Sequence, residues 1–321
     1  RCMFFPQEAI KLPGPFGPAI PLDPAALLLP AGRTCIATVL QVMRPHRVHV
    51  PHFVCDSVTL PMQVSGTSVT RYRIGDDLLP VELPALRSNE MLLMIDYFGL
   101  CGKSIAEVAS VWGDRCIVDR SQAFFSGPVA GCWTFNSSRK FFGVPDGAQL
   151  WGPKSVPPPE RRFLRPVIDH LLLGLAGAQA EGLPYHRAND ANLPLDHLRA
   201  SLVSERLLER GARDDVRRIR ERNFKLLHAL LGRLNMLDIG SEPVPGPFHY
   251  PLLLPAPIDH RMFHAAGIFC PVLWPEVLTR PGVPGEDADR VKRLLALPLD
   301  QRYDERHMEA LADRVLLMLD Q

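Results

Sequence analysis

The chain has 321 residues, 46% of them hydrophobic, and a formal net charge of +1. That is a globular chain, long enough for one large domain and a smaller one, and its near-neutral balance argues against a general binder of nucleic acid or other polyanions. No apolar run reaches the length of a membrane span; the densest, Leu171-Leu172-Leu173-Gly174-Leu175-Ala176, is far too short.

Residues 1–30 are rich in Pro and Gly and read as an arm laid on the surface. From Thr34 to Met43, Ile36, Val39, Leu40 and Met43 follow helical spacing, with Gly32-Arg33-Thr34 at the start. Arg47-Val48-His49-Val50 reads as a short strand ending at Pro51, and a second helix is expected near Asp56. Residues 69–74 and 91–96 read as strands, 104–110 as a helix and 116–118 as a strand. Strands alternating with helices in units of this size imply an α/β fold with a parallel sheet covered on both faces.

The character changes after a proline break at Val156-Pro157-Pro158-Pro159-Glu160. Residues 161–179 read as a helix. Apolar positions from Val216 to Leu234 give a long amphipathic helix over 214–234. Residues 248–254 and 268–273 read as strands of a small C-terminal domain, closed by a helix over 305–319. The expected division is an arm over 1–30, a large domain over 31–200 and a small domain over 201–321. The seven cysteines (Cys2, Cys35, Cys55, Cys101, Cys116, Cys132 and Cys270) are scattered and form no C-x-x-C pair. This favours a reducing cytoplasm over a disulfide framework. Nothing visible resembles a signal peptide.

Two segments carry chemistry. Ile117-Val118-Asp119-Arg120-Ser121-Gln122 puts an acid at the end of a buried apolar strand. Some twenty residues on, Ser137-Ser138-Arg139-Lys140-Phe141-Phe142-Gly143 puts a lysine on a loop containing Ser and Gly. Pyridoxal phosphate (PLP) chemistry requires this pair: a carboxylate that keeps the pyridine nitrogen protonated, and a lysine that condenses with the aldehyde. Alone, Asp119 reads more readily as a helix N-cap, but with Lys140 at its spacing the cofactor reading wins; the alternative of a surface lysine at Lys140 is weakened by its apolar neighbours Phe141 and Phe142 and by the glycine-containing turn behind them. Gln122, three residues after Asp119, reads as reaching the cofactor's face or phenolic oxygen, or as a plain loop glutamine. Gly32-Arg33-Thr34 offers backbone N–H groups and a guanidinium to a phosphate. Ser137 reads as a second phosphate ligand or a plain loop serine, and Phe53 as a ring-stacking or a core aromatic. His46, His49 and His52 recur every three residues, but alternation along a strand turns His49 away from the other two, so no metal site is expected. The arginines at 213, 217, 218, 220 and 222 are interleaved with acids and read as a solvated helix face.

The succession Gly32-Arg33-Thr34, Val50-Pro51-His52-Phe53, Asp96-Tyr97-Phe98-Gly99, Asp119-Arg120-Ser121-Gln122 and Ser137-Ser138-Arg139-Lys140 resembles the DegT/DnrJ/StrS sugar aminotransferases, in a divergent branch. The resemblance covers roughly residues 30–150 and is faint beyond. It implies PLP fold type I, with a three-layer large domain around a mostly parallel mixed sheet and a small C-terminal α/β domain. It also implies a homodimer with sites at the subunit interface, glutamate as amino donor and a nucleotide-linked keto-sugar as acceptor. By motif position, Arg33 and Thr34 would bind phosphate, Asp119 the ring nitrogen, Gln122 the ring and Lys140 the aldehyde. The segment a partner subunit would contribute is nearest to Gly182-Leu183-Pro184-Tyr185-His186-Arg187, which lacks the family's asparagine.

Overall fold

The structure, a computed structural model, describes residues 22–240 and 244–320. Its centre is a seven-stranded sheet in the order β1-β7-β6-β5-β4-β2-β3. The chain runs β1 (Leu27–Leu29), α1 (Gly32–Met43), β2 (Arg47–Pro51), α2 (Asp56–Ser65), β3 (Ser68–Tyr72), β4 (Glu90–Ile95), α3 (Gly102–Trp112), β5 (Cys116–Arg120), β6 (Trp133–Asn136) and β7 (Ala148–Trp151). Strands β2 to β6 are parallel; β7 joins β6 antiparallel, and β1 closes that edge antiparallel to β7. β4 and β5 are buried at every position, as expected of strands covered on both faces. The chain winds outward from β2 to β3 on one side and from β4 to β6 on the other. The crevice at the carboxyl ends of the central strands is where such sheets receive ligands.

Beyond the sheet come α4 (Asp169–Leu175), α5 (Gln179–Asn192), α6 (Leu202–Glu209) and α7 (Arg213–Leu231). They are followed by β8 (Tyr250–Leu253), α8 (His260–Ala265), α9 (Gly285–Arg293), β9 (Leu294–Leu297) and α10 (Glu305–Leu319). β8 and β9 form a separate antiparallel pair. Leu227, Leu231, Tyr250, Leu252, Leu295, Leu297, Leu311 and Val315 build a second core around that pair. This is the α/β architecture expected, a mixed and mostly parallel sheet with a smaller C-terminal α/β unit. Among the described residues no helix is long and apolar enough to cross a membrane.

Four expectations are corrected. Of the proposed arm, residues 1–21 lie outside the described residues, but Leu27–Leu29 is a strand of the main sheet with Leu29 fully buried. The helix expected over 161–179 begins only at Asp169, because Pro166 has no N–H to donate and disfavours helix before it. Residues 268–273 are not a strand; β8 pairs instead with Leu294–Leu297, directly after the charged helix α9. Arg220 is buried rather than solvated.

The loop between β6 and β7 is anchored at its far end. Asp146 is fully buried and accepts from Ser201 N (2.6 Å) and from the Ser201 and Ser204 hydroxyls, tying the loop to the start of α6. Gly147 follows at φ 121°, where a side chain is strained, and its N–H donates to Pro30 O at 2.7 Å. Removing the carboxylate leaves buried donors unsatisfied. Asp146→Ala is therefore expected to lower stability by about 2–4 kcal/mol, read as a shifted urea midpoint at unchanged slope.

Candidate active site

A cleft opens at the carboxyl ends of β4, β5 and β6. Its wall includes Gly32, Arg33, Asp119, Ser121, Gln122, Ser137, Arg139, Lys140 and Trp274. Asp119 is the penultimate residue of β5, almost fully buried. Its Oδ1 accepts the Ser121 N–H at 2.7 Å. Burial raises its carboxyl pKa, opposed by the nearby Lys140 charge and by the bond from Ser121. Lys140 ends the short 3-10 turn Ser138–Lys140 and donates from Nζ to Ser121 Oγ at 3.1 Å. Nζ also lies 5.5 Å from the centre of the Phe248 ring. Ser121 thus joins the acid and the lysine, one through its N–H and the other through its hydroxyl. Gln122 borders the same cleft, its Oε1 held by the Phe98 N–H at 2.7 Å.

The opposite wall suits an anion. α1 begins at Gly32 after Ala31, which has no side chain able to cap it, so an uncapped helix N-terminus borders the cleft. A Cβ on Gly32 would come within 2.9 Å of the Phe135 ring, so only glycine permits this approach. Ser137 stands at the end of β6 facing the same space. Two guanidiniums converge here: Arg139, ion-paired with Asp190 of α5, and Arg33, whose pKa falls mainly through burial, with Asp190 opposing and Arg139 assisting. Arg139 Nε is buried without a hydrogen-bond partner. A dianionic phosphate satisfies this donor set: a helix start, a serine and two guanidiniums. The buried carboxylate and the lysine beyond it suit a pyridine aldehyde.

The cleft therefore gathers Lys140, Asp119, Gln122, Gly32, Arg33 and Ser137. Thr34 and Phe53 are placed elsewhere. Thr34 is fully buried, its hydroxyl donating to Pro194 O at 2.6 Å and its N–H to Ala31 O at 3.0 Å, leaving no donor for a phosphate. Phe53 is fully buried behind the wall, edge-on to Trp274 with centroids 4.5 Å apart, and Trp274 is the aromatic that borders the cleft. Arg139 was legible only as the neighbour of Lys140, and nothing in the sequence singles out Asp190. Of the three histidines, His49 is buried and pairs through Nε2 with Glu90 at 3.1 Å.

His249 lies near this site in the second core's loop. Burial first, then the charges of Arg220, Lys140 and Arg302 against Asp300, hold its pKa down to about 3. An unfolded imidazole takes up a proton near its ordinary 6.5 and the folded one does not until about 3. Its depressed pKa therefore favours the folded state above pH 6.5, and that advantage is lost as pH falls from 6.5 towards 3, by up to about 1.4 kcal/mol per unit. Buried Asp96, raised from 3.8 to about 6, has the opposite slope between those values. The measurement is thus a difference: His249→Gln should show a flatter loss of urea stability than wild type between pH 6.5 and 4.5.

No protein-family model matches this sequence, and no curated protein matches it. Solved structures do. The sugar aminotransferase CalS13 from Micromonospora echinospora superposes with a TM-score of 0.62 at 12% identity, over 91% of this chain and 87% of that one. A DegT DnrJ EryC1 StrS aminotransferase from Brucella abortus gives 0.64 at 15% identity, over 91% and 85%. Spr1654 from Streptococcus pneumoniae in its PMP-form gives 0.63 at 12% identity, over 98% of both chains, and it also has a PLP-form. The chain shares the fold of these proteins, the PLP fold type I expected above.

Proposed function

We propose that this chain is a PLP-dependent aminotransferase of the DegT/DnrJ/StrS kind, moving an amino group, with glutamate as donor, onto a nucleotide-linked keto-sugar. The observation that carries the reading is the Asp119–Ser121–Lys140 arrangement, an acid and an amine bridged across one cleft whose far wall suits a phosphate. When bound, PLP supplies the electron sink that makes a substrate Cα–H acidic. Asp119 would hold the proton on the pyridine nitrogen; a cation beside this carboxyl would oppose the burial that raises its pKa, as the Lys140 charge does. Lys140 Nζ is the amine that would hold the aldehyde end of the cofactor, and as a free amine it would carry the proton at the substrate Cα. Ser121 Oγ orients Nζ. Arg33, Arg139, Ser137 and the Gly32 end of α1 hold the phosphate, and Gln122 and Trp274 bound the ring. The same reading makes the protein a cytoplasmic homodimer with its cleft completed by a second copy. It is supported by the fold shared with sugar aminotransferases.

The first test is the visible absorption of the purified protein with added PLP, followed by glutamate. A bound-cofactor band that collapses on adding glutamate supports donor and cofactor together. A stable band points to another donor or reaction, and no band removes the cofactor reading. A second test isolates the phosphate wall. Arg33→Ala is expected to weaken PLP binding about 10- to 100-fold, the loss of one charged hydrogen-bonding group, while leaving binding of unphosphorylated pyridoxal within about twofold. Equal weakening of both ligands in equilibrium titrations would place Arg33 away from the phosphate.

A further inference from the structure

The Lys140 loop is gripped from behind by residues far along the chain. Arg220 of α7 is 2% exposed. Its Nε donates to Gln301 Oε1 at 3.1 Å, and its Nη1 donates to Pro247 O (3.2 Å) and Phe248 O (3.1 Å). Its guanidinium carbon lies 4.7 Å from the centre of the Phe141 ring. Gln301 completes the link by donating from Nε2 to Phe141 O at 2.7 Å. Phe141 is the residue after Lys140, and Phe248 is the ring beside its ammonium; their centroids are 5.5 Å apart. The backbone that carries Lys140 and the aromatic surface that its side chain rests on thus converge on one guanidinium.

We propose that Arg220 and Gln301 form a buried clamp that sets the position of Lys140 Nζ between Ser121 Oγ and the Phe248 ring, making both of them positioning residues for the chemistry at that amine. The proposal rests on the reading of Lys140 as the cofactor lysine. Stability alone gives no reason for a cation at this place. Burying a guanidinium is unfavourable, and an apolar side chain of similar volume usually serves a core as well or better. Asp300 opposes the burial of Arg220 through its charge, but its carboxylate accepts two side-chain bonds from Arg302, each 2.8 Å, and the Arg302 N–H at 3.1 Å. A guanidinium contributes what an apolar group cannot: planar donors at fixed angles, here to one side-chain and two backbone carbonyls. Pushed by burial, its pKa falls only to about 10, so it stays charged through the working pH range.

The test compares wild type with Gln301→Leu and Arg220→Met, using three readouts on protein whose folding is verified by thermal unfolding. Binding of pyridoxine 5′-phosphate, which has no aldehyde, reports the cleft. The rate of PLP trapping at Lys140 by borohydride, read by peptide mass spectrometry, reports the placement of the amine. Acetylation of Lys140 by acetic anhydride without cofactor, relative to exposed Lys154, reports its freedom. For Gln301→Leu we expect pyridoxine phosphate affinity within about twofold of wild type, trapping slowed about tenfold or more, and acetylation faster by about threefold, since a displacement of about 1 Å costs that much reactivity or more. Arg220→Met should show the same changes, larger; if it does not fold, Gln301→Leu carries the test. A folded Gln301→Leu protein with wild-type trapping and acetylation rates would overturn the proposal and leave the clamp as packing. If wild type neither binds pyridoxine phosphate nor is trapped by PLP, the cofactor reading fails, and acetylation alone decides the clamp.

Discussion

Lys140→Ala is expected to lose covalent retention of PLP completely and to lower turnover by at least about 10⁴-fold, since the proposed function gives one side chain both the attachment of the cofactor and the carrying of the proton. Lys140 is the single lysine on the cleft wall among the described residues, so no neighbouring amine can replace it. Its anchoring is local, through Ser121 and the Phe248 ring, and the loop's main restraints lie in Asp146 and in the Phe141 backbone. The variant should therefore fold. Borohydride reduction followed by peptide mass spectrometry checks attachment, and steady-state rates check turnover. Residual activity within tenfold of wild type would remove Lys140 from the chemistry.

Asp119→Asn is expected to separate attachment from catalysis. Asparagine keeps the shape and can still accept the Ser121 N–H, but it carries no charge to hold a pyridinium proton. PLP should still be trapped at Lys140, while turnover falls about 10²- to 10³-fold, the scale of a preorganised electrostatic contact removed from a buried site. Burial already disfavours the ionised carboxyl, so the neutral side chain should leave unfolding stability unchanged or slightly raised. Trapping fractions, turnover and urea midpoints of the same preparation measure all three. A variant with near wild-type turnover would show that Asp119 faces no ring nitrogen.

The sequence makes Asp119 and Lys140 legible because each breaks a local rule in a recognisable place. An acid ends an apolar strand, and a lysine sits among Phe141 and Phe142 in a turn. The sheet is legible where strands are long apolar runs, as at Glu90–Ile95. It is obscured at Leu27–Leu29 and Leu294–Leu297, where leucines without β-branching follow a proline-rich stretch or a charged helix and are made strands by distant partners. Arg220 is hidden for a related reason. Its neighbours Arg217, Arg218 and Glu221 are surface-like, and only the packing of α7 against residues 247, 248 and 301 turns that one arginine inward. The aromatic assignment fails for want of depth information: Phe53 lies one layer below the wall, and Trp274, more than two hundred residues away in sequence, covers it. Thr34 is lost to Pro194, a partner no local pattern announces.

The edge strand β1 has a consequence for the order in which the molecule can be made. Leu27–Leu29 leaves the ribosome among the first residues described, yet its one strand partner among the described residues is Ala148–Trp151, and Pro30 next to it accepts from Gly147. Until about 120 further residues have emerged, three leucines have no partner strand and the lysine loop has no Pro30 tether. During synthesis the parallel strands β2 to β6 can assemble as they appear, whereas Leu27–Leu29 must wait for Ala148–Trp151, an interval in which apolar surface is open to chaperones or to aggregation. Completion of the cleft is thus one of the last steps of folding the large sheet, although the helix whose start borders it begins only three residues after the end of β1.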